Sequence, residues 1–221
     1  MKILAVSDEV VDFLYSPAIR DRYGDVDLVA GCGDVPYFYL EFIVTMLNAP
    51  LYYVPGNHDR PRQYLSDGRV IDHAEGCELI DGRALSCERP GRPRVLLAGL
   101  GGSLRYNNDA AHQYTQAEMA TRAGGLTPAL AWNRVRYGRA LDILITHAPP
   151  RGIHDAPDMA HTGFDALRPF MDTFRPRFLL HGHSHVYRPD VPTRTVYAQT
   201  EVLNVYPYRL IEWEPGRGVR G

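Results

Sequence analysis

Acids, amides and imidazoles stand together in five short blocks along this chain. They are Ser7-Asp8, Gly33-Asp34, Gly56-Asn57-His58-Asp59, Thr146-His147 and His181-Gly182-His183-Ser184-His185. Carboxylate and imidazole donors in one set suit Zn, Mn or Fe, whereas a lone Mg or Ca site prefers oxygen alone. A single histidine is most often a hydrogen-bonded structural residue, but five such blocks in succession are hard to explain as packing. Residues i and i+2 of an extended segment share a face, so His183 and His185 are expected to project together with Ser184 turned away. A pair of metal ions about 3.5–4 Å apart can hold a phosphoryl group, generate a hydroxide and stabilise the leaving oxygen. Asp34 is the natural carboxylate to bridge such a pair. Gly33, Gly56 and Gly182 would let the backbone bend and come close to a ligand.

Each block follows a short apolar run. The runs at 3–6, 28–30, 51–54, 95–98, 143–145 and 178–180 read as strands covered on both faces, because they lack strict alternation. Helical patterns fall between them, over 17–23, 37–47, 115–122, 128–137 and 164–174. This strand–helix alternation predicts an α/β fold with a largely parallel sheet. Ligands of such sheets collect at the carboxyl ends of the strands, which is where the five blocks stand, and the expectation is one edge of one sheet. The stretches 67–86, 195–199, 201–204 and 208–213 read as further strands, fit for a second sheet or antiparallel edges. Residues 86–94 read as a turn-rich loop within one domain spanning 1–221, and 216–221 as a frayed tail.

The chain has 221 residues, 45% of them apolar and 23% charged, which suits one globular domain with its own core. The formal net charge of −2 gives no bulk attraction to nucleic acid or to an anionic membrane. Cys32, Cys77 and Cys87 form no CxxC pair, which favours a reducing compartment, with the cytoplasm as the expectation. The opening apolar run is too short for a signal segment or a membrane span.

The ordered blocks from Asp8 to His185 resemble the calcineurin-like metallophosphoesterase superfamily. Gly-Asn-His-Asp followed far downstream by Gly-His-Ser-His is the specific part, and Thr146-His147-Ala148-Pro149-Pro150 resembles the family's fourth block. The resemblance implies a layered α/β/β/α sandwich, two mixed sheets flanked by helices. It implies divalent ions, a pair of Mn, Fe or Zn, with Asp8 and His185 on the first, Asp34 bridging, and Asn57, His147 and His183 on the second. His58 would face the scissile phosphate, and Asp59 would orient His58. The activity implied is hydrolysis of a small phosphate ester by metal-activated hydroxide. A phosphodiester such as a cyclic nucleotide is the first choice. A phosphomonoester or phosphoprotein substrate, or a weakened binding scaffold of the same fold, is the alternative. The family's first block usually reads Asp-x-His, and here Val10 stands where that histidine would be. The first site then keeps three protein ligands, a workable but weaker set.

Asp12 is a candidate to offset Val10; His154, Asp155, Asp158 and His161 are candidates to shape the substrate pocket, His154 foremost as a substrate contact, or to add a metal contact that offsets Val10, although 151–161 also reads as a solvated approach to a helix. Tyr37 stands where the family often has a polar residue and is a candidate for the substrate pocket. Arg105, Tyr106, Asn107 and His112 are candidates for contact with a phosphate or a base; the same stretch equally fits an ordinary surface loop before a helix cap near Thr115. His181 reads as a partner of a ligand and His73 as a turn residue. The aromatic residues Tyr187, Tyr197, Tyr206, Tyr208 and Trp213 read as sheet packing.

Overall fold

The computed structural model describes residues 1–64, 67–107 and 111–214. The residues expected to form the tail lie outside that set. In chain order the elements are β1 (Lys2–Val6), α1 (Ile19–Tyr23), β2 (Leu28–Gly31), α2 (Tyr37–Leu47), β3 (Leu51–Tyr53), β4 (Gln63–Tyr64), β5 (Val70–Ile71), β6 (Glu78–Leu79), β7 (Ala84–Cys87) and β8 (Val95–Leu100). They continue with β9 (Ser103–Leu104), β10 (Gln113–Tyr114), α3 (Gln116–Gly125), α4 (Thr127–Tyr137), β11 (Ile143–Thr146), α5 (Leu167–Phe174), β12 (Phe178–His181), β13 (Arg194–Tyr197), β14 (Thr200–Asn204) and β15 (Tyr208–Glu212).

Two mixed sheets form the frame. The first runs β15-β1-β2-β3-β6 and the second β13-β14-β12-β11-β8-β7. Within the first, β1, β2, β3 and β6 are parallel and β15 closes one edge antiparallel. Within the second, β8, β11, β12 and β14 are parallel between antiparallel β7 and β13. The pleat explains the layering, because successive side chains leave a strand on opposite faces. Ile3 and Ala5 face inward with Leu28, Leu97, Ile143, Ile145, Phe178 and Leu180, forming the core between the sheets. Leu4 and Val6 face outward and pack with Ile19, Leu40 and Ile43 of α1 and α2. Leu144 and Leu179 face the other way and pack with Met119, Leu130, Leu167 and Phe170 of α3, α4 and α5. The result is the α/β/β/α sandwich that the family resemblance implies. The single-sheet reading is corrected: strands bearing the first three blocks lie in one sheet and those bearing the last two in the other.

The helices end where local chemistry stops them. Thr115 and Glu118 form a capping box on α3, and Gly138 ends α4 in a left-handed turn. Pro36 and the left-handed Asn48 bound α2, the helix that follows the second block.

Candidate metal centre

At the carboxyl ends of both sheets the chain makes sharp turns, and those turns aim the candidate ligands. Asp8, Asp34 and His183 all adopt left-handed backbone, with φ of 63°, 55° and 64°. Such conformations are costly for side-chain-bearing residues and cluster at functional sites. His183 therefore reaches the centre from a tight turn, which replaces the expected i, i+2 alternation with His185. A Cβ on Gly56 would meet Asp34 Oδ1 at 2.1 Å, and one on Gly182 would meet Asp8 Oδ2 at 2.3 Å. These two glycines are there because the carboxylates occupy the space that a side chain would fill.

One ligand atom each from Asp8, Asp34 and His147 come together, all within 4.8 Å of one another. Asp34 Oδ2 lies 3.2 Å from His147 Nε2, and Asn57 Oδ1 lies 2.9 Å from the same nitrogen. On the far side of that ring, Nδ1 donates to the Cys32 carbonyl at 2.8 Å. His183 Nε2 donates to the Ala160 carbonyl at 2.7 Å, and its ring centroid stands 4.8 Å from that of His147. Carbonyl acceptors thus hold one nitrogen of each ring and leave His147 Nε2 and His183 Nδ1 for a cation, which at His147 would take the place of the proton now shared with Asp34 and Asn57. This is the usual arrangement around metal-binding histidines. Carboxylates, an amide oxygen and imidazole nitrogens in one place are a donor set that fits a divalent transition ion.

The second grouping is looser. The Asp8 carboxylate accepts the His183 backbone N–H at 3.0 Å, and His185 Nε2 sits 3.4 Å from Asp8 Oδ1. His185 stacks on Tyr206, centroids 4.5 Å apart and planes 13° off parallel, and its Nδ1 meets the Tyr187 hydroxyl at 3.2 Å. Tyr206 in turn donates to Glu9 Oε2 at 2.8 Å. Tyr187 is 79% exposed, so neither it nor Tyr206 is the sheet packing expected of this aromatic stretch, while Trp213 is buried in the core as expected. The residues framing His185 carried no sequence signal except aromatic type. Val10 is half-buried against the outer core.

Electrostatics follow from this crowding. Burial alone would raise the pKa of Asp34, but the charge and hydrogen bond of His147 and the His58 backbone N–H bring it down to about 2. Burial opposes protonation of His147, yet Asp34 and Asp8 push it up to about 9. Burial, reinforced by His147, holds His183 down to about 4. Burial raises Asp59 to about 6, against the N–H groups that it accepts. Opposite charges beside buried groups are the governing cause for the first two, and desolvation for the last two.

Several expectations change at this point. Asp59 accepts the backbone N–H groups of Asp34 and Gly56, both at 2.8 Å, so it ties two ligand loops together in place of orienting the His58 ring. His58 itself is exposed, its backbone N–H bound to Asp34 Oδ1 at 2.7 Å, and a groove lined by Asp34, Val35, Pro36, Asp59, Arg60 and Gln63 opens beside it. Tyr37 is buried, with its hydroxyl on the Asp72 carbonyl at 3.2 Å and its ring edge-on to Tyr53, so it is a packing residue and does not line that groove. Arg105 is committed to Glu118 and the Gln113 carbonyl, tying the loop to α3. Tyr106 does reach the centre: its hydroxyl accepts from Asn57 Nδ2 at 3.1 Å. The backbone N–H groups of Tyr106 and Asn107 are both held by Gln113 Oε1, and Asn107 is exposed.

His154 Nδ1 meets His181 Nε2 and His154 Nε2 meets Thr195 Oγ1, each at 2.9 Å, so both nitrogens are engaged away from the ligands and cannot replace the missing histidine. Asp12 is exposed and does not join the ligand group. His161 pairs with Asp158, and its ring stands 5.2 Å from His183.

The sequence profile of the calcineurin-like phosphoesterase family matches residues 2–187. The chain belongs to that family. An uncharacterised protein of Methanocaldococcus jannaschii is 26% identical over 201 residues, covering 85% of this chain and 82% of that one. The solved structure of the Thermus thermophilus protein TT1561 superposes with a TM-score of 0.60 at 15% identity, over 92% of this chain and 88% of that one. A further solved structure gives 0.59 at 14% identity over 95% and 94%. At such identities these structures speak for the fold alone. This family member is a metal-dependent phosphoesterase, and Asp8, Asp34 and His147 form a group that could hold a divalent ion. Among the described residues no helix is long and apolar enough to cross a membrane.

Proposed function

We propose that this phosphoesterase cleaves a small phosphodiester, such as a cyclic nucleotide, at the junction of the two sheets. The observation that carries the reading is the convergence of Asp8, Asp34, Asn57 and His147, contributed by loops of both sheets, beside an exposed histidine. Asp34, Asn57, His147 and His183 would hold one Mn, Fe or Zn ion, and Asp8, His185 and the shared Asp34 a second, weaker one. Bound divalent ions supply Lewis acidity and neutralise charge on the phosphoryl oxygens.

The protein's own residues supply the rest. His58, exposed at the rim and anchored through its backbone to Asp34, faces the phosphate, offers a hydrogen bond to an oxygen that gains charge, and can pass a proton to the leaving group. Asp59 keeps the Asp34 and Gly56 loops in register, so that His58 and the ligands keep their spacing. The Tyr106 hydroxyl, on the other side of Asn57, fixes the amide with Oδ1 toward His147. The groove beside His58, with Val35 and Pro36 for an apolar group and Arg60 for an anionic one, favours a substrate with a second ester arm.

The test is turnover of bis-p-nitrophenyl phosphate against p-nitrophenyl phosphate after chelation and add-back of Mn, Zn, Fe and Mg, alongside elemental analysis of the purified protein. Faster turnover of the diester, restored by a transition ion, is expected. A preference for the monoester would reassign the substrate class, and full activity in the chelated protein would remove the ions from the chemistry.

A further inference from the structure

Away from the metal centre, a cavity of about 420 Å³ opens at the flank of the sandwich. Its walls come from both sheets: Phe178 of β12, Glu201 and Leu203 of β14, Arg194 of β13, and Arg209 and Ile211 of β15, with Arg177 just before β12. The volume lies within the roughly 300–1,000 Å³ of small-ligand pockets. Phe178, Leu203 and Ile211 are buried and give it an apolar floor.

The charged groups around it are unequally matched. Arg177 and Arg194 share one buried carboxylate, Glu201, at 2.5 and 2.8 Å. Arg209 has no carboxylate partner among the described residues: its guanidinium is held by the Thr193 carbonyl at 3.0 Å and the Thr193 hydroxyl at 2.7 Å. The wall's other acid, Glu212, also faces Lys2. Arg177 gives one nitrogen to Glu201 and leaves Nε and Nη1, both buried, without an acceptor among the described residues. Leaving buried donors unmet is costly, and native structures avoid it unless something else satisfies them.

We propose that this cavity is a binding site for a small organic phosphate, distinct from the metal centre. The guanidiniums of Arg194 and Arg209 supply planar, always-charged forks that match phosphate oxygens, and Arg177, held on Glu201, adds its charge to the same wall. The buried floor accepts the organic part. Arg209 is half-buried and faces the like charge of Arg194, both of which disfavour its cation, and the opposite charge of a bound anion would compensate. The inference does not depend on the phosphodiesterase reading, since none of these residues belongs to the metal centre.

The test is calorimetric titration of the metal-chelated protein with inorganic pyrophosphate and, separately, with adenosine monophosphate. Binding at one site is expected, tighter for the nucleotide, and weakening as salt is raised. Arg209→Ala and Arg194→Ala should each weaken it by about tenfold or more, and Arg209→Lys should fall between wild type and Arg209→Ala because it keeps charge and loses the fork. Arg194 is largely exposed, so its variant keeps the test available should Arg209→Ala not fold. Asp34→Asn, at the metal centre, should leave the titration unchanged. Absence of binding, binding indifferent to both arginine variants, or binding lost in Asp34→Asn would each overturn the proposal.

Discussion

The two halves of the proposed metal centre are unequal, and the inequality is legible in how each candidate ligand is held. Around Asp34, Asn57, His147 and His183, every side chain has a second partner that fixes its orientation: a backbone N–H, a phenol or a carbonyl. Around Asp8 the grip is thinner. His185 is exposed, rests on Tyr206 and lies 3.4 Å from the carboxylate, while Val10 faces the outer core. Under the proposed two-ion reading, affinity in one half would be built from pre-set geometry, and in the other from fewer ligands with looser supports.

The largest effect should come from breaking the shared point. Asp34→Asn is expected to lower both ion affinity and turnover by at least about a hundredfold, the upper end of what losing even an outer partner costs; calorimetric metal titration and initial rates check it. His58→Ala should cut kcat by about 10² to 10⁴ without changing the melting temperature, because its ring is exposed. An unchanged rate would take His58 out of the reaction. Val10→His should sharpen the comparison by equalising the halves: the concentration of the second metal equivalent needed for half-maximal activity should fall by roughly tenfold. Tyr106→Phe, which frees the Asn57 amide, should weaken the tighter ion by about two- to tenfold, with little change for the second.

The smallest effect concerns the His154–His181 pair. Burial lowers His154 to about 4, so the folded state disfavours its charged form. A depressed folded pKa contributes stability that is present above the unfolded value near 6.5 and is lost as pH falls toward about 4. His154→Gln should therefore flatten the fall of melting temperature between pH 6.5 and 4, measured against wild type.

Much of this is readable from residue types. The five blocks mark the turns after five strands, and the 37–47 pattern coincides with α2 because an apolar stripe, a preceding proline and a following asparagine all agree. The division into two sheets is not readable from composition. β1, β2 and β3 carry the same continuous apolar signature as β8, β11 and β12, and only pairing partners distinguish them. Two-residue strands such as β4 and β9 are defined by the strands they pair with and leave no local pattern. Tyr37 and Arg105 depart from expectation for the same reason: a side chain's type says what it can bind, while its tertiary partners, Asp72 and Glu118, decide what it does bind. Asp59 is the clearest case, since a carboxylate beside a histidine in sequence turns instead to two backbone amides. Ala160 and Cys32 leave no trace in the sequence at all, because they act through carbonyls that every residue has.

Asp8, Asp34 and Asn57 hang from one sheet, and His147 and His183 from the other. An ion seated among them is therefore a rivet through both layers, fastened from opposite plates. Loading it should raise the unfolding midpoint in step with the logarithm of ion concentration. Conversely, any strain that slides one plate past the other by about an ångström would loosen the fastening and silence the chemistry in the same motion.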